Sequence, residues 1–324
     1  MPSRRQFLLG STALAGSVLA GAWRPVASAP TPEGSFLPAD FTVAVPDFAP
    51  ERIVRRLVGL RPFRPMGVRL EAEAIGRTTL IHHYGHGGSG VTLSWGTARQ
   101  AVDLALAAPG RGAVAVLGGG AVGLATAWLL RERGRPVRVY ADRFSPDTTS
   151  DVAAARWFPS QLVDPAFRSP ELEARLREAL LFSHQRFRRL VGSGYGVALL
   201  PHLRLGSQPP SPGWADTLLA DLIPPPQDVS DRGLPLQAAW VGATPGMLID
   251  MPQYLRAIQR DLRRLGVELV QRRFEAPGEI AALPESVVVN CTGLGSAALF
   301  GDIELVPVKG QLTMLPPDPR LRYT

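Results

Sequence analysis

Val114-Ala115-Val116-Leu117-Gly118-Gly119-Gly120-Ala121-Val122-Gly123 is the stretch from which the rest of the chain is read. Its four leading apolar residues suit a buried parallel strand, and a glycine-rich turn follows at once. Leu124 to Arg133 then has helical composition, and Val137-Arg138-Val139-Tyr140 reads as the next strand. Strand, glycine turn and helix form the context in which G-x-G-x-x-G signifies a dinucleotide site. Gly118 permits the tight turn, Gly120 lets the backbone approach a pyrophosphate, and Gly123 lets helix and strand pack closely. Ala121 and Val122 lie where the helix N-terminus offers free N–H groups to the phosphates. Asp142 follows Gly123 at about 20 residues, where an acidic ribose ligand belongs in such a βαβ unit. The pattern alone does not separate NAD from FAD.

The next segment separates them through resemblance. Tyr140-Ala141-Asp142-Arg143-Phe144-Ser145-Pro146-Asp147-Thr148-Thr149-Ser150-Asp151-Val152-Ala153-Ala154 resembles the run after the second strand in D-amino-acid and D-aspartate oxidases, which are FAD enzymes. The resemblance implies cofactor contacts at Arg143, Thr148, Thr149, Ser150, Ala154 and Ala155. On their own terms, Thr148 to Ser150 are adjacent hydroxyls beside a phosphate site.

Further stretches are similar to the same family. Gly59-Leu60-Arg61-Pro62-Phe63-Arg64-Pro65 and Val68-Arg69-Leu70-Glu71 resemble a segment near its C-terminal end. Ile81-His82-His83-Tyr84-Gly85-His86-Gly87-Gly88-Ser89-Gly90-Val91-Thr92-Leu93-Ser94-Trp95-Gly96 resembles the signature that follows there. Val287-Val288-Val289-Asn290-Cys291-Thr292-Gly293-Leu294-Gly295 resembles its second flavin motif, and Gly310-Gln311-Leu312 its next strand entry. By this likeness Arg61 binds the substrate carboxylate, for which a planar guanidinium is the natural bidentate partner. Gly87, Gly88, Ser89, Gly90, Val91 and Thr92 open a helix whose N–H groups face the flavin's pyrimidine edge, and Gly88 also meets substrate. Thr292 and Phe274 complete the implied cofactor contacts, Phe274 through its backbone.

No side-chain acid or base and no metal is expected. His82, His83 and His86 have no carboxylate or cysteine beside them to complete a metal set, and read as packing or hydrogen-bonding residues. Cys291 reads as buried filler, Tyr84 as core, and Arg64 as a charge at the surface or behind the site. Ala155, Arg156 and Phe158 replace a glycine, an apolar residue and a glutamine usual near the flavin ring and substrate, which implies a different pocket.

In the family, the segments matching Gly59 to Gly96 come after the dinucleotide fold; here they precede it. The chain therefore resembles a circular permutant, joined through Pro109, Gly110 and Gly112. It reaches Thr324 before the strands that carry substrate-facing tyrosines in these oxidases, so the resemblance implies an incomplete C-terminal end.

Composition bounds the other readings. The chain has 324 residues, 45% hydrophobic and 19% charged, enough for a sizeable core. A net charge of +7 invites a nucleic-acid partner, but the arginines are dispersed and no recognition motif accompanies them. Met1 to Ala29 reads as a twin-arginine signal: Ser3-Arg4-Arg5-Gln6-Phe7-Leu8, an apolar stretch to Ala22, then Ala27-Ser28-Ala29. Export by that machinery to the periplasm or outside the cell is the expectation. Cys291 is the single cysteine, so no intrachain disulfide forms.

The expected fold is α/β: a glutathione-reductase-like Rossmann FAD-binding domain with a mixed α+β substrate domain. After the signal, 30–50 is a linker and 51–160 the FAD-binding domain, of which 51–108 matches the family's C-terminal segment and 109–160 the βαβ unit. Residues 161–265 are mainly substrate domain, 266–311 return to the FAD-binding domain, and 312–324 begin substrate-domain strands. Ser169-Pro170-Glu171 starts a helix that ends near Gly192, whereas the prolines between Ala198 and Val241 suggest short strands and loops. Met247 to Asp250 reads as a strand and Gln253 to Leu265 as a helix. The resemblance implies oxidation of D-amino acids by hydride transfer to flavin N5, giving 2-oxo acids, ammonia and hydrogen peroxide with molecular oxygen as acceptor. An amine or imino-acid dehydrogenase using another acceptor, and a catalytically silent flavin-binding fragment, are the alternatives. Oligomeric state is not legible.

Overall fold

The computed structural model describes residues 36–38 and 40–324. The expected signal at 1–29 and the first part of the 30–50 linker lie outside the described residues. The rest of that linker packs: Leu37 and Val43 are buried, Leu37 against Val229, Val241 and Ala243.

In chain order, β1 (Arg55–Phe63), β2 (Arg69–Ile75) and β3 (Thr78–Tyr84) lead into α1 (Gly90–Ala107), β4 (Val114–Leu117), α2 (Ala121–Glu132) and β5 (Val137–Ala141). Then come α3 (Pro170–Leu190), β6 (Val197–Gly206), α4 (Trp214–Leu218), β7 (Gln227–Asp228) and β8 (Trp240–Ile249). The chain closes with α5 (Met251–Arg264), β9 (Glu268–Gln271), α6 (Pro277–Ala281), β10 (Val287–Asn290), α7 (Gly295–Phe300) and β11 (Val306–Met314).

Six strands form one sheet in the order β2-β3-β10-β4-β5-β9, parallel except for β2 against β3. Its central strands, β4 and β10, are apolar except for Asn290 at the end of β10, because both faces are covered. The two-residue period divides β4 between them. Val114 and Val116 pack with Leu93, Ala98, Leu124 and Leu130 of α1 and α2, while Ala115 and Leu117 meet Val288, Ile280 and Leu299 on the other side. Ser169 accepts from the Leu172 N–H and caps α3, and Asp250 accepts from the Gln253 N–H and caps α5.

The region expected to hold short strands and loops, Ala198 to Val241, contains the ten-residue β6, which pairs antiparallel with β8 just beyond it, Pro201 opposite Pro245; the strand expected at Met247 to Asp250 is the end of β8. Each proline sits where no second neighbour needs its N–H. β6 is an edge strand, and β7 reaches only Gly242 and Ala243 of β8. β11 runs without a break across the boundary expected at 311/312. β11 pairs with β1, so β1 stands outside the six-stranded sheet in a two-stranded ribbon, with Arg61 opposite Val308. No helix among the described residues is long and apolar enough to cross a membrane.

Candidate active site

The carboxyl ends of β4, β5 and β10 open onto a cavity of about 650 Å³. A crevice at strand ends is where open α/β sheets bind ligands. Gly118 ends β4 with φ +125°, and its added Cβ would stand 2.4 Å from the Cys291 carbonyl oxygen. At Gly123 a Cβ would stand 2.0 Å from the Gly118 oxygen, so α2 can begin against β4 only without a side chain there. The Ala121 N–H donates to Ser150 Oγ at 3.1 Å. Val122 and Gly123 turn into the cavity at the α2 N-terminus.

Asp142, at the end of β5, lines the same cavity with Arg143, and its carboxylate lies 3.7 Å from Arg143 and 3.9 Å from Arg273. Thr148, Thr149, Ser150 and Ala154 line it as well. The hydroxyls divide their work, however: Thr148 donates to Asp151 at 2.6 Å and so caps the short turn 149–152, while Ser150 faces α2. Phe274 lines the far end, edge-on to Tyr140 at 5.8 Å and under the Arg272 guanidinium.

The opposite wall comes from the turn after β3. Gly87, Gly88, Gly90, Val91 and Thr92 line the cavity, as do Ala155 and Thr292. Ser89 does not: it is fully buried and its hydroxyl donates to the Ser160 carbonyl at 2.9 Å. The Thr92 hydroxyl is likewise engaged, bonding to both the carbonyl and the N–H of Phe158. These bonds fasten the 155–161 segment to the turn. Thr292 donates to Asn290 at 2.7 Å, which orders the bend after β10.

Arg61 projects from β1 into the cavity. Its Nη1 donates to Gln161 Oε1 at 2.6 Å, and its guanidinium passes Gly310 of β11 so closely that a Cβ there would lie 3.0 Å away. Gln161 is a positioning residue the sequence reading missed. The one local signal is conformational, a φ of +48° at a residue other than glycine, and composition does not display that.

Burial sets the protonation of the neighbouring groups. His83 and His86 line the cavity wall, and desolvation holds His83 well below the usual imidazole range and brings His86 down to about 3. Burial pushes the Cys291 thiol up to about 12, which makes it an inert neighbour of Thr126 and His83. Arg64 is no surface charge: it pairs with Asp302 at 3.2 Å, and Asp302 also accepts from Tyr84 at 2.7 Å.

Residues 113–323 match the family DAO, FAD dependent oxidoreductase. The chain belongs to that family. It is 30% identical to D-aspartate oxidase from Homo sapiens over 211 residues, 61% of this chain and 58% of that protein. It is 32% identical to D-amino-acid oxidase from Streptomyces coelicolor over 221 residues, 63% of this chain and 59% of that protein. The match thus spans less than two thirds of those curated relatives. Among solved structures, glycine oxidase from Geobacillus kaustophilus is similar with a TM-score of 0.41 and 19% identity, covering 60% of this chain and 58% of that one.

FAD is the family's cofactor, and the residues present fit it. The cavity runs along Gly118, Gly119 and Gly120 to the α2 N-terminus, where a pyrophosphate would be held. Asp142 would hold ribose hydroxyls. Among the described residues, Nε2 of His83 is a buried polar atom without a protein partner at the same wall, as a site completed by a ligand would leave it.

Proposed function

We propose that the FAD-loaded protein oxidises D-amino acids to 2-oxo acids, with ammonia and hydrogen peroxide as the other products. The observation that carries this reading is Arg61, a guanidinium held by Gln161 in the cavity that both glycine turns line. Such a group pairs bidentately with an α-carboxylate and thereby orients the Cα–H, and orientation is a large part of the rate in reactions of this kind. Bound FAD supplies the hydride acceptor. Water then hydrolyses the imino acid released, and molecular oxygen takes up the two electrons as peroxide. His83 and His86, neutral through burial, shape and dry the wall without exchanging protons. The relatives named D-aspartate oxidase and D-amino-acid oxidase support the D configuration.

The test is an anaerobic titration of the FAD-loaded protein with D- and L-amino acids, following the oxidised flavin band. D-enantiomers should bleach it, and air should restore it with release of peroxide. Bleaching by L-enantiomers, or by no amino acid, overturns the proposal. Arg61→Leu should lower kcat/KM by roughly 10- to 100-fold or more while flavin stays bound.

The segment order further supports a permuted relative of the family's chain, with the join in the exposed loop 109–112. Twin-arginine export is proposed on Arg4 and Arg5. Changing both to lysine should retain the protein in the cytoplasm on fractionation, and unchanged export would reject the route.

A further inference from the structure

Arg156 lines the same cavity as Arg61, on the side of the β6–β8 sheet. Its place in the frame is rigid. The Trp157 N–H donates to the Met247 carbonyl at 2.8 Å and the Ile249 N–H to the Ala155 carbonyl at 3.0 Å, so Arg156 bridges to Leu248 like a short added strand. Ala155, at φ +45°, is held in the left-handed region by the same bonds.

Its guanidinium stacks over the Phe158 ring at 4.4 Å and has no hydrogen bond or ion pair among the described residues. The charged and titratable groups around it do not neutralise it. Arg204 adds a second positive charge. Asp216 is the nearby carboxylate, but it already accepts from Arg204 at 2.8 Å and from the Gly213 N–H at 2.9 Å. His202, pushed down to about 4 by burial and by Arg156 and Arg204, carries no charge at neutral pH. Desolvation by burial lowers the Arg156 pKa first of all. A guanidinium drawn partly out of water without an anion is costly, and a carboxylate is its best-matched relief.

We propose that Arg156 receives a second carboxylate of the substrate, so that the preferred substrates are D-amino acids bearing a side-chain carboxylate. This rests on the D-amino-acid reading of the site. Arg61 would take the α-carboxylate and Arg156 the distal one, and Phe158 keeps the Arg156 plane open to a bidentate partner.

The test compares each acid with its uncharged amide on the FAD-loaded full chain: D-glutamate with D-glutamine, D-aspartate with D-asparagine. The acids should lead in kcat/KM by roughly 10- to 100-fold, the range for a charge-assisted pair. Arg156→Gln should erase that ratio by raising KM for the acids far more than for the amides, and Arg156→Lys should restore part of it. Without turnover, succinate should perturb the flavin band at lower concentration than succinamate, and Arg156→Gln should abolish the difference. If D-amino acids are oxidised but amides equal or exceed acids, the Arg156 assignment falls and the proposed function stands. A uniform loss on acids, amides and flavin retention in Arg156→Gln also overturns it, in favour of a role toward fold or cofactor. If no D-amino acid bleaches the flavin, the functional reading itself fails.

Discussion

A histidine walled off from water titrates as its surroundings allow, and His86 shows the consequence. The folded protein keeps it neutral down to about pH 3, whereas the unfolded chain takes up a proton near 6.5. The stability this neutral form contributes is whole above pH 6.5 and falls as the pH drops toward 3. The loss is about 1.4 kcal/mol per pH unit for one histidine. Urea denaturation between pH 6.5 and 4.5 should therefore give His86→Asn a pH slope shallower than the wild type by about one proton. Equal slopes would mean that His86 is hydrated in the folded protein. The sequence reading took these histidines as packing residues because no metal-ligand partner stands beside them. It had no means of telling how far each is buried, since β3 is covered only when α1 and α2 close over it.

At the scale of elements, the decisive contact is the start of α2 against the end of β4. Gly123→Ala places a methyl group 2.0 Å from the Gly118 oxygen, so helix and turn must separate. We expect a loss of about 1–3 kcal/mol of stability. FAD retention after dialysis, read from the flavin absorbance per protein, should fall with it. Full retention would show that the turn adapts without cost. This part of the site was legible in sequence because turn, strand and helix are consecutive residues obeying local rules. The Arg61 clamp was legible only in half. Arg61 itself was named by resemblance, but Gln161 lies 100 positions away and meets it only through the fold. The Ser89 hydroxyl illustrates the same limit: a turn's sequence does not say which of its side chains points inward, and here the 155–161 segment captures that hydroxyl.

For the whole molecule, permutation is a statement about distance. The Tyr323 hydroxyl donates to the Ala44 carbonyl at 2.6 Å, so these two sequence-distant segments meet, while residues 109–112 form an exposed loop. A reordered chain, opened at that loop and joined from Thr324 to Ala44 by a short glycine-serine linker, should fold and bind FAD with near-native affinity by flavin fluorescence quenching. Failure to bind would mean that the present order is needed for assembly. The amino-acid sequence by itself determined the βαβ unit and its dinucleotide site, because strand period, glycine placement and helix caps act between neighbours along the chain, while FAD and most of the cavity's walls are named through resemblance. Only the tertiary structure decided that β1 leaves the main sheet for β11, that Gln161 holds Arg61, and that Arg156 faces the cavity unpaired. Each of those depends on burial and contact between distant segments, which become defined when the core excludes water and fixes which residues meet.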